Sequence, residues 1–187
     1  RWTVTQEADI QKAEHLQKAI GVSLPIAELL IKRGVETFEK AKTFFRPSLD
    51  DLHDPFLMKG MEKATSHILE TLESNKPVMV FGDYDVDGTT SVALMTTYLK
   101  KLGFDVVSYI PDRYDEGYGI SYQGIDCAKA QGIDLIIALD CGIKAIDKID
   151  YAKSIGVNFI ICDHHRPGVS IPDAIAVLDP KQTDCHY

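Results

Sequence analysis

From residue 77 onward, short apolar runs alternate with longer stretches of helical spacing. The runs are residues 78–81, 106–110, Leu135–Leu139 and Asn158–Cys162, with a shorter one at Ala176–Leu178. Apolar runs of this length, bounded by Gly, Pro and Asp, read as buried strands. Helices are expected between them, at about 89–102, with Gly103 as its C-cap, and at about 145–155. Strands separated by helices, apolar on both faces, predict a parallel sheet covered on either side.

Before residue 77 the period is helical throughout. Ala8, Ala13, Leu16 and Ile20 fall on one face of a helix that Thr5 or Asp9 could start and Gly21 ends. Pro25 opens a second helix over 26–32, closed by Gly34. Phe38, Ala41, Phe44 and Phe45 mark a third, stopped by Pro47. Residues 47–55 form a linker with capping residues. A fourth helix over 61–72 places Ile68, Leu69 and Leu72 on one face. His15, His53 and His67 stand singly in this region and read as surface or capping groups. The expected architecture is α/β: a mostly parallel sheet flanked by helices, residues 77–187, preceded by a small helical N-terminal segment, residues 1–76.

The chemistry lies where the strands end. The first runs into Gly82-Asp83-Tyr84-Asp85-Val86-Asp87-Gly88, the third into Asp140-Cys141-Gly142, the fourth into Asp163-His164-His165. Three carboxylates at alternate positions of one turn repel each other unless cations sit among them. An EF-hand loop is excluded, because its twelfth position would be Leu94 rather than Glu and a strand precedes it. Asp85-Val86-Asp87-Gly88-Thr89 resembles the haloacid-dehalogenase signature, but Gly82-Asp83-Tyr84 separates it from the strand. A third reading has several strand ends delivering separate metal ligands to one edge, as open parallel sheets do. Asp140 and Asp163 could each merely cap a following element. Two adjacent imidazoles after a buried strand have no common structural role.

Carboxylates with a minority of imidazole suit Mn²⁺ or Mg²⁺, and a pair of such ions can drive phosphoryl displacement. A His beside the ligands could protonate the leaving oxygen or bind a phosphate oxygen. Arg113 and Arg166 are candidate phosphate contacts, and Tyr114 or Tyr118 could stack on a base; the alternative is a glycine-hinged surface loop. The 187 residues carry a net charge of −8 and 45% apolar residues. That allows a packed core, and it is not the basic footprint of a self-sufficient nucleic-acid binder. The four cysteines, 127, 141, 162 and 185, form no C-x-x-C pair. They read as reduced thiols of a cytoplasmic protein, with Cys141 and Cys162 as core fillers. No apolar run approaches the ~18 residues of a membrane span, and RWTVTQEAD has no signal-peptide core.

These motifs resemble those of the DHH phosphoesterase superfamily: Asp163-His164-His165 its name-giving motif, the Gly82–Gly88 turn its first, and Leu139-Asp140-Cys141-Gly142 its second. RPSLDDLHDPFLMKGMEKA (46–64) and RYDEGYGIS (113–121) are similar to segments of the RecJ-type single-stranded-DNA-specific exonucleases. The resemblance implies 5′-to-3′ hydrolysis of single-stranded DNA with two Mn²⁺ or Mg²⁺ ions, in DNA repair and recombination. It implies that Asp85 and Asp87 each hold one ion, that Asp140 bridges both and His164 binds the second. His165 would touch the scissile phosphate, with Asp163 orienting the pair. Phe81 stands where many superfamily members have a ligating His, and Asp83 takes over that role. The resemblance also implies a further metal-binding Asp, a DHHA1 domain and an oligonucleotide-binding domain beyond Tyr187. The expectation is then an N-terminal part of a longer enzyme, needing its C-terminal domains as partners and weakly active or inactive alone. Other superfamily activities (pyrophosphate, cyclic-dinucleotide or short-oligonucleotide hydrolysis) and a non-catalytic scaffold are the alternatives.

Overall fold

A computed structural model describes residues 7–187. Thr5 lies outside the described residues; Asp9 is the N-cap of α1 (Ile10–Ile20), its carboxylate accepting the Gln11 and Lys12 N–H groups. α2 (Leu24–Lys32) carries Pro25 in its first turn, and α3 (Phe38–Phe45) is capped by the Thr37 hydroxyl. Ala13, Leu16, Ala27, Leu30, Ile31, Val35 and Ala41 form the small core of these helices. They belong to a first compact unit, Arg1–His53; the second is Asp54–Tyr187.

The second unit begins ahead of the expected boundary at residue 77, because α4 (Met61–Glu73) packs with the sheet. Ala64, Ile68 and Leu72 join its core at intervals of four, whereas Leu69 is 55% exposed. The apolar face of α4 therefore runs through Ala64 rather than Leu69.

The sheet contains β1 (Val78–Gly82), β2 (Val106–Tyr109), β3 (Leu135–Leu139), β4 (Asn158–Cys162) and β5 (Ala176–Leu178), in the order β2-β1-β3-β4-β5. Every pairing is parallel. Alternate residues serve two cores. Met79, Phe81, Ile136, Ala138, Phe159 and Ile161 face one side, and Val78, Val80, Leu135, Ile137 and Ile160 face the other with α4. Residues alternating across a strand but apolar at every position are the signature of a sheet buried on both faces.

Three further helices complete the unit. α5 (Val86–Lys101) starts three residues earlier than the sequence reading placed it, because Asp85 caps it by accepting the Gly88 N–H at 3.0 Å. α6 (Tyr122–Ala130), which the apolar pattern did not announce, is capped by Ser121 and buries Ile125 and Ala128. α7 is Ile146–Ser154.

Register decides where the site forms. Gly82 pairs with Leu139, Leu139 with Cys162, and Cys162 with Leu178. The residues that follow, Asp83, Asp140, Asp163 and Asp179, therefore leave four adjacent strands at one level of the same edge. The chain leaves β1 toward β2 on one side and returns with β3 on the other, so the β1/β3 ends flank the topological switch point where α/β sheets bind ligands.

Candidate metal centre

Each strand-end residue is held differently. Asp83 is fully buried; its Oδ1 accepts the Tyr84 N–H at 2.7 Å, and its Oδ2 is buried with no hydrogen-bond partner. Asp85 and Asp87, at the start of α5, are exposed. Asp140 has φ 61°, a left-handed conformation uncommon for a residue other than Gly, and it does not cap α7, whose N-cap is Ala145. Its N–H donates to Cys162 O at 2.8 Å, tying the turn to β4.

The His164 Nε2 lies 3.0 Å from Asp140 Oδ1. Asp140, His164 and His165 offer ligand atoms that all lie within 4.8 Å of one another. Burial and the Asp85 carboxylate push the Asp140 pKa up, against the pull of His164 and His165. Asp87 lines a cavity of about 460 Å³ together with Asp140, Asp163 and His164. Of the five residues expected to hold metal, then, Asp140 and His164 meet directly. Asp85 acts on Asp140 electrostatically, Asp87 shares its cavity, and Asp83 stands buried at the same edge.

Asp163 is 6% exposed and accepts four hydrogen bonds: from the Ile143, His164 and His165 N–H groups at 2.9, 2.7 and 3.0 Å, and from His165 Nδ1 at 2.7 Å. Burial alone would raise its pKa; these donors outweigh burial and hold it below the ordinary value. The same contact raises the pKa of His165 and fixes its Nδ1 toward Asp163, leaving Nε2 facing the site. Asp163 thus holds the His165 ring by its Nδ1.

The 110–121 loop closes one flank. The Tyr118 hydroxyl lies 3.4 Å from His165 Nε2, its ring meets Tyr84 edge-on, and Arg113 lies over Tyr84 at 5.3 Å. Burial and the nearby Asp83, Asp140 and Asp85 carboxylates push the Tyr118 phenol up to about 12. Tyr114 is 92% exposed and packs on nothing at the site. Arg166 is exposed and, among the described residues, makes no hydrogen bond or ion pair that places it there.

Glu116 pins this loop, accepting from the Tyr109 and Ser121 hydroxyls and the Asp112 N–H. Burial opposes its charge, but these three donors prevail and keep its pKa low. A depressed carboxyl stabilises the fold above its unfolded pKa and loses that contribution as pH falls through its folded value. Glu116→Gln is therefore expected to cost about 1–2 kcal/mol at pH 7, with the deficit shrinking toward pH 3. Denaturant melts at both pH values check this, and an equal deficit at both would refute it.

Sequence reading passed over Asp179. It is fully buried at the end of β5, its Oδ1 accepts the Lys181 N–H at 2.7 Å, and its Oδ2 has no partner. The signal was present, since Leu178-Asp179 repeats the apolar-then-Asp step of the other three strands. Two buried carboxylate oxygens without donors, at the edge where Asp140 and two imidazoles converge, fit hard divalent cations with oxygen and nitrogen ligands.

The family described as "DHH family, N-terminal domain" matches residues 77–186, more than half of the chain, and the chain belongs to it. The single-stranded-DNA-specific exonuclease RecJ of Bacillus subtilis (strain 168) is 41% identical over 187 residues, 100% of this chain and 24% of that protein. The crystal structure of exonuclease RecJ bound to manganese superposes with a TM-score of 0.64 at 34% identity, covering 71% of this chain and 34% of that one. RecJ in complex with Mn²⁺ from Thermus thermophilus gives 0.69 at 28% identity, over 100% of this chain and 26% of that one. The chain spans about a quarter of the length of the curated relatives it matches. Among the described residues, no helix is long and apolar enough to cross a membrane.

Proposed function

We propose that this chain carries the metal site of a 5′-to-3′ exonuclease specific for single-stranded DNA, acting in DNA repair and recombination. The observation that carries the reading is the convergence of Asp140, His164 and His165 within 4.8 Å at the switch-point edge. The relatives are named as single-stranded-DNA-specific exonucleases, and two related structures hold Mn²⁺.

Asp85, Asp87, Asp140 and His164 are the residues assigned to hold two ions, with Asp83 beneath them. When bound, Mn²⁺ or Mg²⁺ supplies charge neutralisation at a phosphoryl group and activation of water. The chain's own groups do the positioning. Asp163 holds His165 Nδ1, so that the Nε2 is presented to a phosphate oxygen. Arg113, which lies over Tyr84, is the cation we assign to a substrate phosphate. Neither Cys141 nor Cys162 serves as nucleophile: burial, then the Asp163 carboxylate, pushes both thiols up, that of Cys162 to about 12. Soluble, cytoplasmic action on a DNA 5′ end, together with further domains of the same protein, belongs to this proposal.

The test is mononucleotide release from single-stranded and duplex DNA by the natural gene product containing this sequence. The expected result is release from the single strand only, abolished by chelation and by Asp140→Asn. Equal digestion of duplex DNA, or digestion that survives chelation, would overturn it.

A further inference from the structure

A second cavity, of about 290 Å³, shares Asp163 with the one that Asp87, Asp140 and His164 line. Tyr118, Ile143, Lys144, Lys148 and His165 line it. Its polarity is unlike its surroundings. The chain carries −8 overall, and the sheet edge beside it presents four aspartates. The first cavity, with Asp87, Asp140 and His164 in its wall, contains no lysine.

Lys12, Lys59, Lys76 and Lys153 each form an ion pair, with Glu36, Asp184, Asp134 and Asp173. Lys144 and Lys148 form none among the described residues. Lys144 stands just before the Ala145 N-cap of α7 and Lys148 in its first turn. Cations at a helix N-terminus oppose its dipole, so both cost stability in the free protein. The one carboxylate on that wall, Asp163, is taken up by its four hydrogen bonds, and the two lysines beside His165 are explained by an anion that occupies the cavity.

We propose that this cavity seats the phosphate next to the scissile one along a nucleic-acid strand, with Lys144 and Lys148 as its donors. The assignment rests on reading the edge as a phosphodiester-cleaving site, because it takes His165 as the contact to the scissile phosphate. The strand would then cross the edge with its continuing backbone on the Lys148 side. Such contacts position a strand without reading its bases, which suits an enzyme that must advance through any sequence.

The experiment uses the 187-residue chain with Ca²⁺ and a ladder of 5′-phosphorylated thymidylates of one, two and three residues, read by fluorescence anisotropy. The second carries the scissile phosphate, and only the third also carries the phosphate beyond it. The unaltered chain is expected to gain about tenfold in affinity from the second rung to the third. The double variant Lys144→Ala/Lys148→Ala should lose that gain while binding the dinucleotide as before, and Lys144→Arg/Lys148→Arg should restore it. Three results would overturn the proposal: no gain in the unaltered chain, the same gain in the alanine variant, or loss of dinucleotide affinity in that variant. A Mn²⁺ titration by calorimetry is run alongside. Absent Mn²⁺ binding with a lysine-dependent gain intact would count against the metal site and in favour of the phosphate seat.

Discussion

Asp140→Asn lowers the affinity of this chain for Mn²⁺ by at least about a hundredfold, while the fold survives. Removing even the outer partners of metal ligands costs about 10–100-fold, and Asp140 Oδ1 lies 3.0 Å from the His164 Nε2. The fold survives for two reasons. Asn is among the few residues that accept the left-handed conformation seen here at φ 61°, and the 2.8 Å bond from the residue 140 N–H to Cys162 O is untouched. The carboxylate is moreover a burden on the metal-free chain. Burial and Asp85 raise its pKa, so ionisation at neutral pH opposes folding; a raised carboxyl favours the folded state at low pH and loses that contribution as pH rises. The amide removes that repulsion. The expected pair of results is a melting temperature no lower than that of the unaltered chain at pH 7 and a calorimetric Mn²⁺ signal largely lost. Unchanged Mn²⁺ affinity would remove Asp140 from the site.

Much of this arrangement was legible in the residues because parallel sheets simplify it. A strand buried on both faces must be apolar at every position, so β1, β3, β4 and β5 stand out by composition alone. An acidic residue directly after such a strand has only the sheet edge to go to. The sheet class, the side on which the site lies and the residues at the ends of β1, β3 and β4 follow from those two facts. What escaped was set by contacts between distant segments. α6 carries Gly124 in its first turn, which weakens any helical signal. That glycine is there because a Cβ would stand 2.6 Å from Phe81 of β1. Leu69 sits beside Ile68 and Leu72 in sequence, yet the face that packs on the sheet takes in Ala64 instead. Asp179 was not counted with the other strand ends, although the three-residue β5 before it was read. Asp85 was read as a ligand alone, and it also caps α5, so one carboxylate shapes the turn and faces the site.

That double use makes Gly88, in the turn that Asp85 caps, a sensitive position. Helix propensity predicts that Gly88→Ala, in the first turn of α5, would stabilise the chain by up to about 1 kcal/mol. The packing predicts the reverse. A Cβ at residue 88 would run into Asp83 O and lie 2.6 Å from its N and 2.7 Å from its carbonyl carbon. All three are backbone atoms, immediately after a strand clamped by β2 on one side and β3 on the other. Neither β1 nor the capped turn can move away without breaking ladder bonds or the Asp85 cap, so overpacking dominates, at about 3 kcal/mol or more. At about 2–4 °C per kcal/mol for a chain of this size, the melting temperature should fall by about 10 °C. Mn²⁺ binding should weaken with it, since any relief of the clash displaces Asp83. Gly168→Ala is the matched control: its nearest neighbour lies 3.5 Å away, so it should melt within about 1 °C of the unaltered chain. A Gly88→Ala chain that melts as high as that control would show that the turn yields, and that its close approach to Asp83 is not what holds the acidic edge in place.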